Sequence, residues 1–225
     1  MRKLLKYLVT PFIVSIVLAG PHPQSGQINE TDVLNHRFDE LSVKESSIVL
    51  ALSRIATEYR VPIGLEVAAK QPETPGREIT LNLENTTLRE VLNAIVKQDS
   101  RYRWTATGDV VYVYPIAGRD PLLRDLLATN LGEFTVERDC TSYRLRDRIL
   151  ELPEIKGKLA RAKVSPFVIA WRGADREKLG SDCFSLHVSD VTLHHLLDQI
   201  IKQSDQKFWT LNRYGKTNEY VILNF

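Results

Sequence analysis

Cysteine and methionine are almost missing from this chain: its 225 residues include two of the first, Cys140 and Cys183, and one of the second. Two cysteines with no second pair and no His-x-x-x-His do not make a zinc pattern. An excess of charge of either sign is also lacking, with 30 basic residues against 28 acidic ones. Three of the basic residues, Arg2, Lys3 and Lys6, fall in the first 19 positions, which hold no acid. The remainder is close to neutral, which excludes the electrostatic footprint of a nucleic-acid binder. None of the 11 glycines is followed by another three positions later, so the G-x-x-G loop of a KH module is absent too. After residue 19 no apolar run reaches the roughly 20 residues that span a bilayer. No G-x-S-x-G, H-E-x-x-H or G-x-x-x-x-G-K-[ST] occurs. The expectation is a non-enzymatic chain with no catalytic residue, no metal ligand and no cofactor. What remains is 43% hydrophobic and 26% charged, the composition of a folded globular protein.

The first 19 residues have a character of their own. A basic stretch precedes the apolar run Tyr7 to Ala19, and Val17-Leu18-Ala19 closes it before Gly20-Pro21. This reads as a signal peptide cleaved near Ala19, so the mature chain is expected in the periplasm or outside the cell, without a stable membrane span. In an oxidising compartment Cys140 and Cys183 can close a disulfide; the alternative is two unpaired, buried small hydrophobes.

An internal repeat organises the rest. With a shift of 105 residues, Ile79 to Gln98 falls on Phe184 to Gln203, and Leu81, Thr87, Leu88, Leu92, Ile95, Lys97 and Gln98 meet identical residues. Trp104 meets Trp209 without a gap. In each copy apolar residues first alternate, at Ile79, Leu81, Leu83 and at Phe184, Leu186, Val188, as in a half-buried strand. They then recur at helical spacing, at Leu88, Val91, Leu92, Ile95, Val96 and at Leu193, Leu196, Leu197, Ile200, Ile201. Asn85 or Thr87, and Asp190 or Thr192, can cap these helices. Thr87 and Glu90 have capping-box spacing. Two further strands follow in each copy, the first carrying the tryptophan as a core aromatic.

Upstream of the first copy, Phe38 to Val43, a helix through Ile48, Leu52, Ile55 and Tyr59, and Val61 to Val67 read as strand, helix and strand. Upstream of the second, Phe134 to Val136, a helix from Ser142 to Leu150 interrupted at Pro153, and Phe167 to Trp171 give a looser counterpart. A short helix is expected after Asp120-Pro121. The fold class is therefore α+β: two related small domains of β-α-β-β-α-β type, each a small sheet with two helices. Their boundaries are 1–19 for the signal peptide, 20–37 and 116–133 for linkers, and 38–115 and 134–225 for the domains.

The phrase Leu41-Ser-Val43, a helix, Ile63-Gly-Leu65, then Ile79-Thr-Leu-Asn-Leu83 and Thr87-Leu-Arg-Glu-Val-Leu92 resembles the short N-terminal (STN) domain of secretins and TonB-dependent transducers. The resemblance covers 38–115 and, as a second half-domain, 184–225. It implies a periplasmic protein-interaction module of the cell envelope that docks on another envelope protein. A sheet edge or a polar helix face, Arg89, Glu90, Asn93 and Lys97, is the expected contact surface. The rival reading is a periplasmic enzyme or metal-binding protein using His194, His195 and Asp198, the first and last at i, i+4 on one helix. Periodicity puts all three on a solvated face opposite Leu193, Leu196 and Leu197.

Overall fold

The computed structural model describes residues 33–68, 77–139, 142–167, 184–214 and 219–225. The signal peptide, Cys140 and Cys183 lie outside the described residues, as does most of the strand expected at Phe167 to Trp171. The protein is mixed α+β. After a 3-10 turn at Val33–Asn35 come β1 (Arg37–Glu45), α1 (Ile48–Tyr59), β2 (Ile63–Glu66), β3 (Ile79–Thr87), α2 (Leu88–Gln98), β4 (Tyr102–Thr107) and β5 (Val110–Pro115). Then follow α3 (Pro121–Leu127), β6 (Asn130–Asp139), α4 (Ser142–Leu150), α5 (Pro153–Arg161) and β7 (Ser165–Pro166). The chain closes with β8 (Phe184–Thr192), α6 (Leu193–Gln203), β9 (Phe208–Tyr214) and β10 (Tyr220–Asn224).

Local chemistry sets these boundaries. Ser47, Thr87, Asp120 and Thr192 cap α1, α2, α3 and α6 through their side-chain oxygens. At α2 the capping box closes fully, with Thr87 N donating to Glu90 Oε2 at 2.8 Å and Glu90 N to Thr87 Oγ1 at 3.4 Å, which satisfies two orphan donors at once. Asn85 and Asp190 do not cap; both adopt left-handed backbone, φ 48° and 54°, a conformation short polar side chains tolerate. Pro153 does not interrupt a helix. It occupies the first turn of α5, where its missing N–H costs nothing.

Strands pair as two antiparallel ribbons, β1 with β3 and β6 with β8, and one six-stranded sheet in the order β4-β5-β2-β9-β10-β7. Within that sheet β5 is antiparallel to β4 and parallel to β2, while β10 is antiparallel to β9 and parallel to β7. The two triplets join where β2 runs parallel to β9, Gly64 opposite Trp209. Alternate residues of the joined sheet serve different cores. Ile63, Leu65, Val111, Val113 and Phe208 belong to one hydrophobic cluster with α1, α2 and the β1–β3 ribbon. Val110, Tyr112, Trp209 and Leu211 belong to another, with α3 to α6 and the β6–β8 ribbon. Because neighbouring side chains on a strand point to opposite faces, the two helical layers cover opposite faces of one sheet. All four residues of β2 are accordingly buried.

Gly64 is the steric condition for this joint. A Cβ placed there would sit 2.3 Å from two atoms of the Trp209 indole, inside any allowed contact, and Trp209 is itself fully buried. Gly64→Ala is expected to destabilise by about 1–3 kcal/mol as overpacking, and Gly64→Val by more. Leu88→Ala, a cavity change in the other core, should cost about 2–5 kcal/mol. Urea denaturation of the three variants checks the order; a Gly64→Val chain as stable as wild type would contradict the packing described.

Candidate functional site: two tryptophan triads

Each tryptophan of the repeat is held by two residues of the preceding helix, at matching positions. Trp104 Nε1 donates to Asn93 Oδ1 at 3.2 Å, and the Arg89 guanidinium lies over the ring, 5.7 Å from its centroid. Trp209 Nε1 donates to Asp198 Oδ1 at 3.0 Å, and the His194 ring meets it edge-on with centroids 5.6 Å apart. Arg89 and His194, Asn93 and Asp198, and Trp104 and Trp209 are all 105 positions apart. One indole–helix arrangement is thus built twice, in opposite circumstances. The second is buried in the joint between the halves of the sheet. In the first, Arg89 and Asn93 are exposed and Trp104 is half-buried on β4, which pairs with β5 alone among the described residues.

The structure does not keep His194, His195 and Asp198 together on a solvated face. His195 is exposed, but His194 and Asp198 retain 32% and 18% of their side-chain exposure. The reason is that α6 is covered on two sides, by its own core and by the first half of the sheet, so its buried arc exceeds the stripe that periodicity marks. The His194 ring is tilted against Tyr112 with centroids 4.3 Å apart and stands 3.6 Å from Asp198 Oδ2; its Nε2 is buried without a hydrogen-bond partner. Beyond Tyr112 lies a fully buried carboxylate, Glu66. Tyr112 Oη donates to it at 2.7 Å, Arg119 Nε at 2.7 Å, and Arg119 Nη2 donates to Tyr112 Oη at 2.8 Å. A buried carboxylate bonded in this way keeps its charge compensated. At the rim, Lys202 reaches Asp109 at 3.5 Å and Arg60 reaches Asp205 at 2.8 Å.

Burial governs the titration of this group. Desolvation, aided by Arg119 and His195, lowers His194 to about 4. Desolvation raises Asp198 to about 7 against the opposing Trp209 hydrogen bond and Lys202. Both residues therefore favour their neutral forms. Among the described residues no three His, Cys, Asp or Glu side chains gather as a metal ion would require.

The expected contact surface on α2 divides by task. Arg89 and Asn93 hold Trp104, and Lys97 is exposed in the last turn. Glu90 closes the capping box, and the hydrogen bonds from Thr87 hold its carboxyl below the usual range, so Glu90 belongs to the helix start and not to a free surface. Arg101 is occupied as well, paired with buried Asp99 at 2.6 Å. Sequence reasoning passed over Gly64, Glu66, Tyr112 and Arg119. Reading the repeat by polar position as well as apolar identity marks the triads, since in both copies a hydrogen-bonding helix residue stands eleven positions before the tryptophan. A scan against protein-family models finds no match to this chain, and a search of curated proteins finds none either.

The neutral pair has a pH signature. Asp198 binds its proton in the folded state between about 4 and 7, where the unfolded carboxyl has lost it, so its contribution to stability falls as pH rises through that window. His194 behaves in the reverse sense: between about 4 and 6.5 only the unfolded ring is protonated, and its contribution rises with pH. The two slopes oppose in wild type. Relative to wild type, Asp198→Asn should gain stability as pH increases from 4 to 7, and His194→Asn should lose it from 4 to 6.5. Urea midpoints across that range read both signs; equal slopes in all three proteins would contradict burial of the pair.

Proposed function

We propose that this chain is an exported, non-catalytic protein-interaction module of the cell envelope. In this reading it consists of two β-α-β-β-α-β domains, 38–115 and 134–225, related to the short N-terminal domain of secretins and TonB-dependent transducers. It works after removal of residues 1–19, in the periplasm or outside the cell, by holding another envelope protein. The observation that carries the reading is the exposed triad. An indole with a hydrogen-bonded, stacked polar shell sits half-open on a strand whose outer edge is unpaired among the described residues. Its buried twin serves in the same molecule as a surface for joining folded parts. Aromatic side chains flanked by arginine are the residue types that anchor protein interfaces. No helix among the described residues is long and apolar enough to cross a membrane, and Glu66, Tyr112 and Arg119 at the joint hydrogen-bond one another, as structural networks do.

The contact surface comprises Arg89, Asn93, Lys97 and Trp104. A photo-reactive amino acid at Lys97 of the exported chain should yield discrete cross-links to envelope protein in intact cells. Adding Trp104→Ala should remove them, while Lys97→Glu alone should leave thermal stability within about 0.5 kcal/mol, as exposed charges do. Unchanged cross-links in the Trp104→Ala chain would contradict the surface. N-terminal sequencing of the exported protein should start at Gly20.

A further inference from the structure

The internal joint is a worked example of what the exposed triad fits. At β2–β9 the edge of one strand triplet, β4-β5-β2, receives the opposite edge of the next, β9-β10-β7. The order is the same in both triplets and the strand directions are reversed. The contact is therefore head-to-tail, and a head-to-tail contact leaves one unused copy of each surface at the two ends. Among the described residues one end is β4 with its triad, and the other is β7.

Register shows how closely the β4 end copies the buried surface. Across the joint, Ile63 N donates to Lys207 O at 2.9 Å and Val67 N to Leu211 O at 3.0 Å. The equivalent β4 positions are Tyr102 and Ala106. Ile116 N bonds Arg101 O on the inner side of β4, and alternation along an antiparallel pair turns the carbonyls of Tyr102, Trp104 and Ala106 outward. Lys97 stands where Lys202 stands, and Lys202 holds Asp109 of the other half. Arg89 replaces His194, and Arg103 replaces Phe208, so this copy is the more basic.

The β7 end does not match. Arg60 and Lys163 end α1 and α5 in the same left-handed conformation, φ 56° and 55°, and Val61 N and Val164 N bond back to Ala56 O and Leu159 O, so counting on from these caps Pro166 stands in the position of Ile63 and Phe167 in that of Gly64. A proline there removes the donor that Ile63 supplies across the joint, a common protection of sheet edges. Phe167, packed on Tyr214 and Tyr220 with centroids 5.7 and 5.4 Å away, fills the space a tryptophan needs. Among the described residues, the β7 end of a second copy therefore does not offer the exposed triad the edge that β2 offers Trp209.

We infer that the β4 edge and the Arg89–Asn93–Trp104 triad receive a parallel strand from a different protein. That strand has a glycine facing Trp104 and an acidic side chain within reach of Lys97. This rests on the proposed interaction role and names its partner's chemistry. The geometry is that of strand addition, in which main-chain bonds supply attachment and a side-chain fit supplies selectivity.

The test restores the missing match in the full-length mature chain. Pro166→Ile with Phe167→Gly recreates the Ile63-Gly64 edge, and Glu219 lies in register where Asp109 lies in the other half. In sedimentation velocity the wild type should remain monomeric. The folded double variant should associate with rising concentration, and adding Trp104→Ala should abolish this. In parallel, a peptide of residues 61–68 titrated into the wild-type chain should shift the Trp104 indole N–H resonance and slow exchange of the Trp104 and Ala106 amides. The same peptide carrying Gly64→Val should do neither. The inference is overturned by a folded double variant that stays monomeric, by association that survives Trp104→Ala, by wild-type self-association through Trp104, or by peptides that act alike or not at all. Should the double variant fail to fold, the peptide decides. Envelope cross-links from Lys97 that persist when these arms fail would leave the interaction role standing and remove only the strand-addition geometry.

Discussion

The fit of the Trp209 indole into the space where Gly64 has no side chain is what the rest of the architecture depends on. It lets β2 and β9 run side by side as parallel strands, and so turns two three-stranded sheets into one. Once joined, the sheet must bury both faces, which is why β2 is apolar or compensated at every position. Ile63 and Leu65 enter one core, Gly64 admits the indole, and Glu66 is neutralised by Arg119 and Tyr112. A buried carboxylate in the central strand would be costly without those partners. The polar network is therefore a consequence of the joint and not an independent site.

The same joint explains why equivalent residues behave differently in the two copies. Asn93 and Asp198 make the same bond to the same ring nitrogen. One does so at the surface, the other under a second layer of protein. The covered copy carries a histidine and a carboxyl whose neutral forms are favoured, and the open copy carries arginine and an amide. Composition thus follows exposure, with charge retained where water or a partner can solvate it.

Much of the fold was legible because its elements are amphipathic on one side. The alternation at Ile79 to Leu83, the stripe Leu88 to Ile95 and the Thr87–Glu90 spacing each report a local event, and each element is found there. Phe134 to Val136 marked a strand that extends over Asn130–Asp139, since ribbon pairing with β8 continues past the apolar residues. What periodicity could not report is a second burying surface. His194 and Asp198 look solvent-facing on a helical projection because the projection knows only the helix's own core. Gly64 looked like an ordinary strand glycine for the same reason, its role being set by a ring 145 positions away in the chain. Glu90 read as part of a free charged face, although the capping box named in the same pattern already used it.

The central claim is that the two halves form one cooperative sheet through β2 and β9. Native-state hydrogen exchange tests it most directly, because cooperative units open with a common free energy. The amides of Ile63 and Val67, which bond across the joint, should exchange only with global unfolding. They should share one free energy with core amides of α2 and of α6. A contradictory result would be early exchange at Ile63 and Val67, followed by α2 opening at a lower free energy than α6.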